Sequence, residues 1–375
     1  MKFTTRRLKH NQCFHVLRGL SATKLVCSVF VFVIWLLLRK KKEPQGFLWL
    51  TPRSGGFNNQ LITIYEAINC ARLHRRTVVL PLIYENVRAD TSSKGYGPYP
   101  FEDYFDISEL SKVVRVTTPA ELDIAGIPCD TVHFSTSRHF KANARRIPRL
   151  LKQQYRQRFQ LNLSFVPFFD YPVEYRCVDD SMCRPKDADS LGEYSNYEVS
   201  GQGYNIRSSS VLRMIRGAFK PSKTVLAIAN MVLESTGSSF NSVHLRRGDF
   251  STKCSELPKI CERFGNESIV QSREAVLSKV QAFREPHLPL FVTTTHASEC
   301  RDMLQRSGLK LFFLEDTDLP AHLEWAKSRT DILSFSAQIV ASRAKQFVGN
   351  RFSSFSTEIN NMRYLKNSSE ELLFF

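Results

Sequence analysis

The chain is 375 residues long, 42% hydrophobic and 23% charged, with ordinary glycine and proline content. That composition excludes a disordered or low-complexity protein, and the length favours two folded units over a single core. The net charge of +16 would suggest a polyanion partner if it were spread evenly, but residues 1–46 carry ten Lys and Arg against Glu43 alone, giving +9 there and leaving +7 for the rest. Nucleic-acid binding is therefore not expected.

Residues 1–24 form a basic tail. Leu25 to Leu38, LVCSVFVFVIWLLL, is an uncharged apolar run of fourteen residues bracketed by Lys24 and Arg39. A full span needs about 20 residues; the flanking cations can snorkel, and Gly19, Leu20, Ala22 and Thr23 are tolerable at an interface. The expectation is a transmembrane signal anchor over 25–38, with a cleaved signal peptide as the alternative and residues 39–46 as a short basic linker. Charge on both sides gives only a small bias towards a cytoplasmic N-terminus, hence a single-pass type II membrane protein with its folded part in the Golgi or endoplasmic reticulum lumen. In that setting the nine cysteines can form disulfides, and the close pairs Cys177 with Cys183 and Cys254 with Cys261 are favoured. No CxxC pair occurs, so a structural zinc site has no support. Sequons at Asn162, Asn266 and Asn367 fit a glycoprotein but are no more than the composition supplies.

The folded part begins with Phe47-Leu48-Trp49-Leu50 as a short strand. After a glycine loop, Leu61, Ile64, Tyr65, Ile68 and Ala71 recur at helical spacing, and Thr77 to Pro81 reads as a second strand. Strand, loop, helix and strand make a βαβ unit with a parallel sheet. From about 90 to 220 the pattern is less regular, and a run of eight basic residues without an acid, Arg138 to Arg158, reads as a solvated helix face. Alternation is clear from 222 onward: helices over 222–234, 269–283, 298–306 and 321–344 and from about Ser354, with strands over 242–246, 288–294, 309–314 and 346–349. The reading is two Rossmann-like lobes facing a cleft, 47–220 and 221–375, the second doubly wound.

In open parallel sheets ligands bind beyond the carboxyl ends of strands, and three polar clusters stand at such ends. Gly55, Gly56, Phe57, Asn58, Asn59 and Gln60 join a strand to a helix, where glycines permit close backbone approach and the helix start offers N–H groups to an anion. In Val243-His244-Leu245-Arg246-Arg247-Gly248-Asp249, alternation puts Val243 and Leu245 on one face and His244 and Arg246 on the other. The planar fork of Arg246 or Arg247 suits a diphosphate; the structural alternative is an ion pair with Asp249 and a satisfied core histidine. The third cluster, FVGNRFSSFS over 347–356, leads into a serine-rich helix start. It offers a second anion cradle, with helix capping by Ser353 or Ser354 as the plainer explanation.

Taken together, and in this order, GGFNNQ with its helix and TVVLP strand, HLRRGDF, and FVGNRFSSFS resemble the GDP-fucose protein O-fucosyltransferase family over most of residues 47–365. The resemblance implies a GT-B fold, a GDP-fucose donor held mainly by the C-terminal lobe, and inverting transfer without a cofactor or a required metal. It implies that Arg246 holds the donor β-phosphate, that His244 belongs to the donor site, and that Ser353, Ser354 and Phe355 contact phosphate and nucleoside. Arg247 would assist them, and Asn59 would face the reaction centre. Two departures stand out: Gly56 falls where several members carry Arg or Glu near the acceptor, and Ala337 falls where some carry an acid that reads guanine. No carboxylate is clearly placed as general base; Asp249 is a base or an orienter by position only. The implied partners are a nucleotide sugar, a protein or glycan acceptor and the membrane. Rival readings are another nucleotide sugar, such as rhamnosyl transfer to a polysaccharide, a noncatalytic glycan-binding relative, and a metal-dependent transferase using Asp187 with Asp189 or Asp316 with Asp318.

Overall fold

Parallel strand pairing organises the folded part around two sheets. The computed structural model describes residues 47–49, 56–73, 75–83, 99–124, 131–135, 164–168, 176–177, 210–246, 271–350, 353–366 and 373–374, with isolated positions at 153, 156 and 157. The apolar run 25–38, Cys183, Cys254, Cys261, the three sequons and Asp187 with Asp189 lie outside these residues. Among the described residues no helix is long and apolar enough to cross a membrane.

The first sheet has the order β3-β2-β1-β6, built from β1 (Phe47–Trp49), β2 (Thr77–Val79), β3 (Val116–Thr117) and β6 (Arg176–Cys177). β1, β2 and β3 are parallel, and Phe47 pairs with Thr77 across the expected βαβ unit whose helix is α1 (Phe57–Leu73). The expectation of an all-parallel sheet fails at one edge, where β6 runs antiparallel to β1. Short helices α2 (Ile107–Leu110) and α3 (Pro119–Ile124) and a separate parallel pair, β4 (Thr131–Ser135) with β5 (Ser164–Phe168), fill the irregular middle of the chain.

A second sheet, entirely parallel, has the order β11-β10-β7-β8-β9. Its strands are β7 (Asn241–Leu245), β8 (Leu290–Thr294), β9 (Leu311–Phe313), β10 (Phe347–Gly349) and β11 (Leu373–Phe374). The helices between them are α6 (Arg273–Gln281), α7 (Ala297–Leu304), α8 (Thr330–Ala341) and α9 (Ser354–Leu365). From β7 the chain winds outward through β8 to β9, then returns through α8 to lay β10 on the opposite side of β7. This reversal is a topological switch point, and it opens a crevice beyond the carboxyl ends of β7 and β10. The boundary expected at residue 220 falls between α4 (Ser210–Ala218), which packs on α1, and α5 (Lys223–Thr236), which packs on α8.

Alternation along β7 divides the core. Val243 and Leu245 join Val276, Val280, Leu290, Val292, Cys300 and Phe313 on one face of the sheet. A larger cluster runs from Phe57, Leu61 and Ile64 of α1 through Phe101, Tyr104 and Phe105 to Val225, Phe335 and Ile359, so apolar packing is continuous from the first sheet's helix to the second's.

Two buried polar groups cross the same boundary. The Arg216 guanidinium donates to Glu358 at 2.6 Å and lies over the Tyr65 ring, whose hydroxyl donates to Glu358 at 3.0 Å. Arg329 donates to Asp331 at 3.0 Å and to Asp103 at 3.2 Å and stands over the Tyr99 ring, while the Tyr104 hydroxyl donates to Asp331. Burial, with the neighbouring Glu358 and Asp331 charges, raises the Tyr65 and Tyr104 pKa values and keeps both phenols protonated donors.

The single helix expected over 321–344 is two pieces, a 3₁₀ helix over Ala321–Ser328 and then α8. They meet at Arg329, whose backbone leaves the helical region at φ −114° and ψ 81°. Buried Leu323 and Ala326 are three residues apart, the repeat of a 3₁₀ turn, and the break leaves Arg329 buried against Asp331 and Asp103.

Candidate functional site

β7 delivers its polar face to the switch point. His244 is buried at the end of this strand, its Nδ1 2.6 Å from Ser356 Oγ and its ring 4.5 Å from that of Phe355. Burial, helped by the Arg246 charge, lowers its pKa from 6.5 to about 3, so the imidazole is neutral at ordinary pH. Arg246, partly buried, follows directly on the end of the strand, two residues after His244. Its backbone N–H donates at 2.7 Å to Gln271 Oε1, and Gln271 Nε2 donates at 3.2 Å to the His244 carbonyl.

β10 supplies the facing wall. At Gly349 an added Cβ would stand 2.6 Å from Ser356 Oγ and 2.7 Å from Ser356 Cβ, so glycine is what lets α9 start so close to the strand. Ser353 N–H donates to the Asn350 carbonyl at 3.1 Å, which closes the turn, and the first intrahelical bond runs from Thr357 N–H to the Ser353 carbonyl. Ser353 occupies the N-cap position, yet its hydroxyl makes no cap bond, so the plain capping explanation does not hold for it. The first-turn amides of Ser354, Phe355 and Ser356 precede that first bond. In a helix such N–H groups are satisfied from outside, most favourably by an anion.

The glycine loop is tied to this cradle by one amide. Gln338 on α8 is fully buried, and its Nε2 donates to Asn58 Oδ1 at 3.0 Å and to the Phe355 carbonyl at 3.1 Å. Behind the loop, the Phe57 ring is buried against Tyr104 and Phe335, at 5.0 and 5.2 Å between centroids, so it anchors the loop in the core. The Gly56 carbonyl accepts from Asn59 N–H at 3.0 Å as α1 begins, and a Cβ at Gly56 would meet nothing within 4 Å. Asn59 is partly buried on the first turn of α1.

Three motifs separated by nearly 300 positions therefore converge through His244, Gln338 and the α9 start. Gly55, Arg247, Asp249, Arg351 and Phe352 lie outside the described residues. Ala337 is a buried apolar residue of α8, flanked by two fully buried polar residues, Ser336, whose hydroxyl donates to the Val225 carbonyl, and Gln338. Ser356, Gln271 and Gln338 are the connecting residues that sequence reasoning did not single out. Ser356 lies within the serine run of 347–356; for the two glutamines, periodicity and spacing carry no signal, because each bonds to a backbone group or a side chain remote in sequence.

What the arrangement offers chemically is an arginine leaving the end of β7, a neutral imidazole bonded to the α9 start, and the amide-bearing first turn of α1 tied to that same helix start through Gln338. That suits a diphosphate leaving group. Of the acidic pairs weighed as metal ligands, Asp316 accepts from Arg301 at 2.6 Å and from the Phe313 N–H at 2.9 Å, which commits both its oxygens. Among the described residues no three His, Cys, Asp or Glu side chains gather in a way that could hold a metal ion.

The family model for GDP-fucose protein O-fucosyltransferase matches residues 47–366. Among solved structures, POFUT1 in complex with GDP-fucose is similar over 89% of this chain and 98% of that one, with a TM-score of 0.59 at 18% identity. POFUT1 in complex with GDP gives the same TM-score and identity over 89% of this chain and 99% of that one. The fucosyltransferase NodZ from Bradyrhizobium covers 86% of this chain and 93% of its own at 16% identity, with a TM-score of 0.44. No curated protein sequence matches. The likeness to POFUT1 shows a shared GT-B-like fold of mixed α/β sheets.

Proposed function

The chain belongs to the GDP-fucose protein O-fucosyltransferase family and is a fucosyltransferase that uses GDP-fucose, and from that premise we propose how its switch-point cradle carries out the transfer. The donor diphosphate lies between Arg246 and the first turn of α9, with the nucleoside towards Phe355 and the fucose towards Asn58 and Asn59 on the first turn of α1. The acceptor hydroxyl oxygen attacks the anomeric carbon from the face opposite the diphosphate. The new C–O bond forms as the bond to the β-phosphate oxygen breaks, so the configuration inverts and GDP leaves. Negative charge gathers on that oxygen, and in this scheme the Arg246 guanidinium and the α9 amides stabilise it.

The observation that supports this reading is the His244–Ser356 bond, because it joins the end of β7, from which Arg246 follows two residues on, to the α9 start. The proton of the acceptor hydroxyl goes to a base. Gly56 has no side chain for that role, and Asp249 follows Arg246 closely enough in the chain to take it. Arg247 assists at the phosphate. The reaction needs no metal in this scheme, since the positive charge comes from arginine and the helix start. The acceptor is a protein or glycan hydroxyl; the rhamnosyl and noncatalytic readings are not favoured by the family match.

The proposal extends to placement in the cell. Residues 25–38 anchor the chain in the Golgi or endoplasmic reticulum membrane, with residues 47–375 in the lumen, where Cys177 with Cys183 and Cys254 with Cys261 are oxidised. Arg246→Ala and Arg246→Lys test the chemistry. Lysine keeps the charge and loses the fork, so both variants lower kcat by about 10²- to 10³-fold, the usual size of effect when one preorganised donor is removed. Near-normal turnover in either variant would remove Arg246 from the mechanism.

A further inference from the structure

Towards its carboxyl end, β7 loses its neighbour on one side. Pairing with β10 runs through Ser242–Phe347 and Val243–Val348 and then stops, while Gly349 still pairs with Phe374 of β11 and the chain leaves the sheet at Asn350. On that side the His244 carbonyl and the Arg246 N–H would next bond to position 350, which lies beyond the end of β10. Gln271 supplies both bonds instead, its Nε2 donating to the His244 carbonyl at 3.2 Å and its Oε1 accepting from the Arg246 N–H at 2.7 Å. In a parallel ladder one residue of the adjacent strand makes this pair of bonds with its own N–H and carbonyl. The side-chain amide thus stands in for the missing rung.

Gln271 is itself held firmly. It is fully buried, and it immediately precedes Ser272, the N-cap of α6, whose hydroxyl accepts from Ala275 N–H at 3.1 Å. The cap fixes the chain direction, and burial fixes the amide. Without the amide, a buried carbonyl and a part-buried N–H at the strand exit would lose these two bonds at the point where Arg246 must be aimed.

We propose that Gln271 is a positioning residue for the transfer: its carboxamide completes the β7 ladder after β10 has turned away, and so holds the Arg246 backbone while β10 is free to build the anion cradle. It touches no substrate and acts through Arg246. This rests on the proposed role of Arg246 at the donor phosphate.

The test uses the full-length protein with Gln271→Leu, Gln271→Glu, Arg246→Ala and the double variant Arg246→Ala/Gln271→Leu. Melting temperature, GDP affinity, and kcat and KM for donor and acceptor are measured for each. Gln271→Leu removes both bonds, and a misplacement of about 1 Å at a reacting group costs on the order of a hundredfold. The expected result is therefore a roughly hundredfold loss in kcat/KM for the donor, with the acceptor KM unchanged. Gln271→Glu keeps the acceptor for the Arg246 N–H and loses the donor to the His244 carbonyl, so it falls between Gln271→Leu and wild type; it also serves if the leucine variant does not fold. In the Arg246→Ala background Gln271→Leu adds little further loss of GDP affinity, because residues that act as a unit are not additive. Full multiplication of the two losses, or a folded Gln271→Leu with wild-type kcat/KM beside a crippled Arg246→Ala, overturns the proposal for Gln271 alone. A harmless Arg246→Ala overturns the reading of the donor site on which it rests.

Discussion

Gly349→Ala probes how closely the anion cradle is built against its strand. The added Cβ would lie 2.6 Å from Ser356 Oγ, 2.7 Å from Ser356 Cβ and 2.8 Å from Phe347 Cζ. The hydroxyl can rotate away, but Ser356 Cβ is fixed to the α9 backbone and the Phe347 ring is buried, so relief requires α9 to move off β10. Overpacking of this kind costs about 1–3 kcal/mol, and replacing glycine inside a strand returns about 0.5–1 kcal/mol. The net expectation is a destabilisation of about 1–2 kcal/mol in urea denaturation. Weakened GDP binding accompanies it, because the same shift stretches the His244–Ser356 bond. Adding Ser356→Gly removes the two shortest contacts, so the double variant is more stable than the sum of the single effects predicts. A Gly349→Ala protein with wild-type stability and wild-type GDP affinity would refute the argument.

Other expectations follow from the buried charges and the proposed chemistry. The folded pKa of His244, about 3 against an ordinary 6.5, means that between these values the unfolded chain binds the proton and the folded protein does not. Stability is thus lost as pH falls from 6.5 towards 3, by up to several kcal/mol. His244→Gln flattens urea midpoints measured across that window, and an unchanged slope would contradict the assignment. Arg329→Met leaves the Asp331 carboxylate buried without its guanidinium and costs about 3–5 kcal/mol, much of it recovered by adding Asp331→Leu; equilibrium unfolding of the three proteins decides the matter, and a loss below about 1 kcal/mol for the single variant would count against it. Excess EDTA leaves transfer activity unchanged, whereas a loss restored by Mn²⁺ would favour the metal-dependent reading.

The second sheet was legible because each of its parallel strands is a short buried run between helices of ordinary length, and period-two alternation on β7 put His244 and Arg246 on one face. The glycine loop and the serine run announced themselves by composition at strand ends. The 3₁₀ helix before Arg329 was not legible, since two apolar residues three apart satisfy a helical template as well as a 3₁₀ one. β6 escaped notice because its pairing with β1 spans more than a hundred residues of weakly patterned chain. Gln271 and Gln338 were silent for a related reason: a buried amide that bonds to backbone or to a distant loop leaves no mark on hydrophobic periodicity. The sequence thus exposed the elements and the residues assigned to the donor site, while the residues that hold those groups in register became visible only when the chain was folded.

The most direct test of the account is calorimetric titration of GDP, UDP and ADP into the wild-type protein and into Arg246→Ala. The account predicts that GDP binds in preference to the other two and that Arg246→Ala weakens it at least tenfold, the loss of a charge-assisted bidentate contact worth about 1.5–3 kcal/mol. Equal binding of all three nucleotides, or GDP binding indifferent to Arg246→Ala, would contradict it.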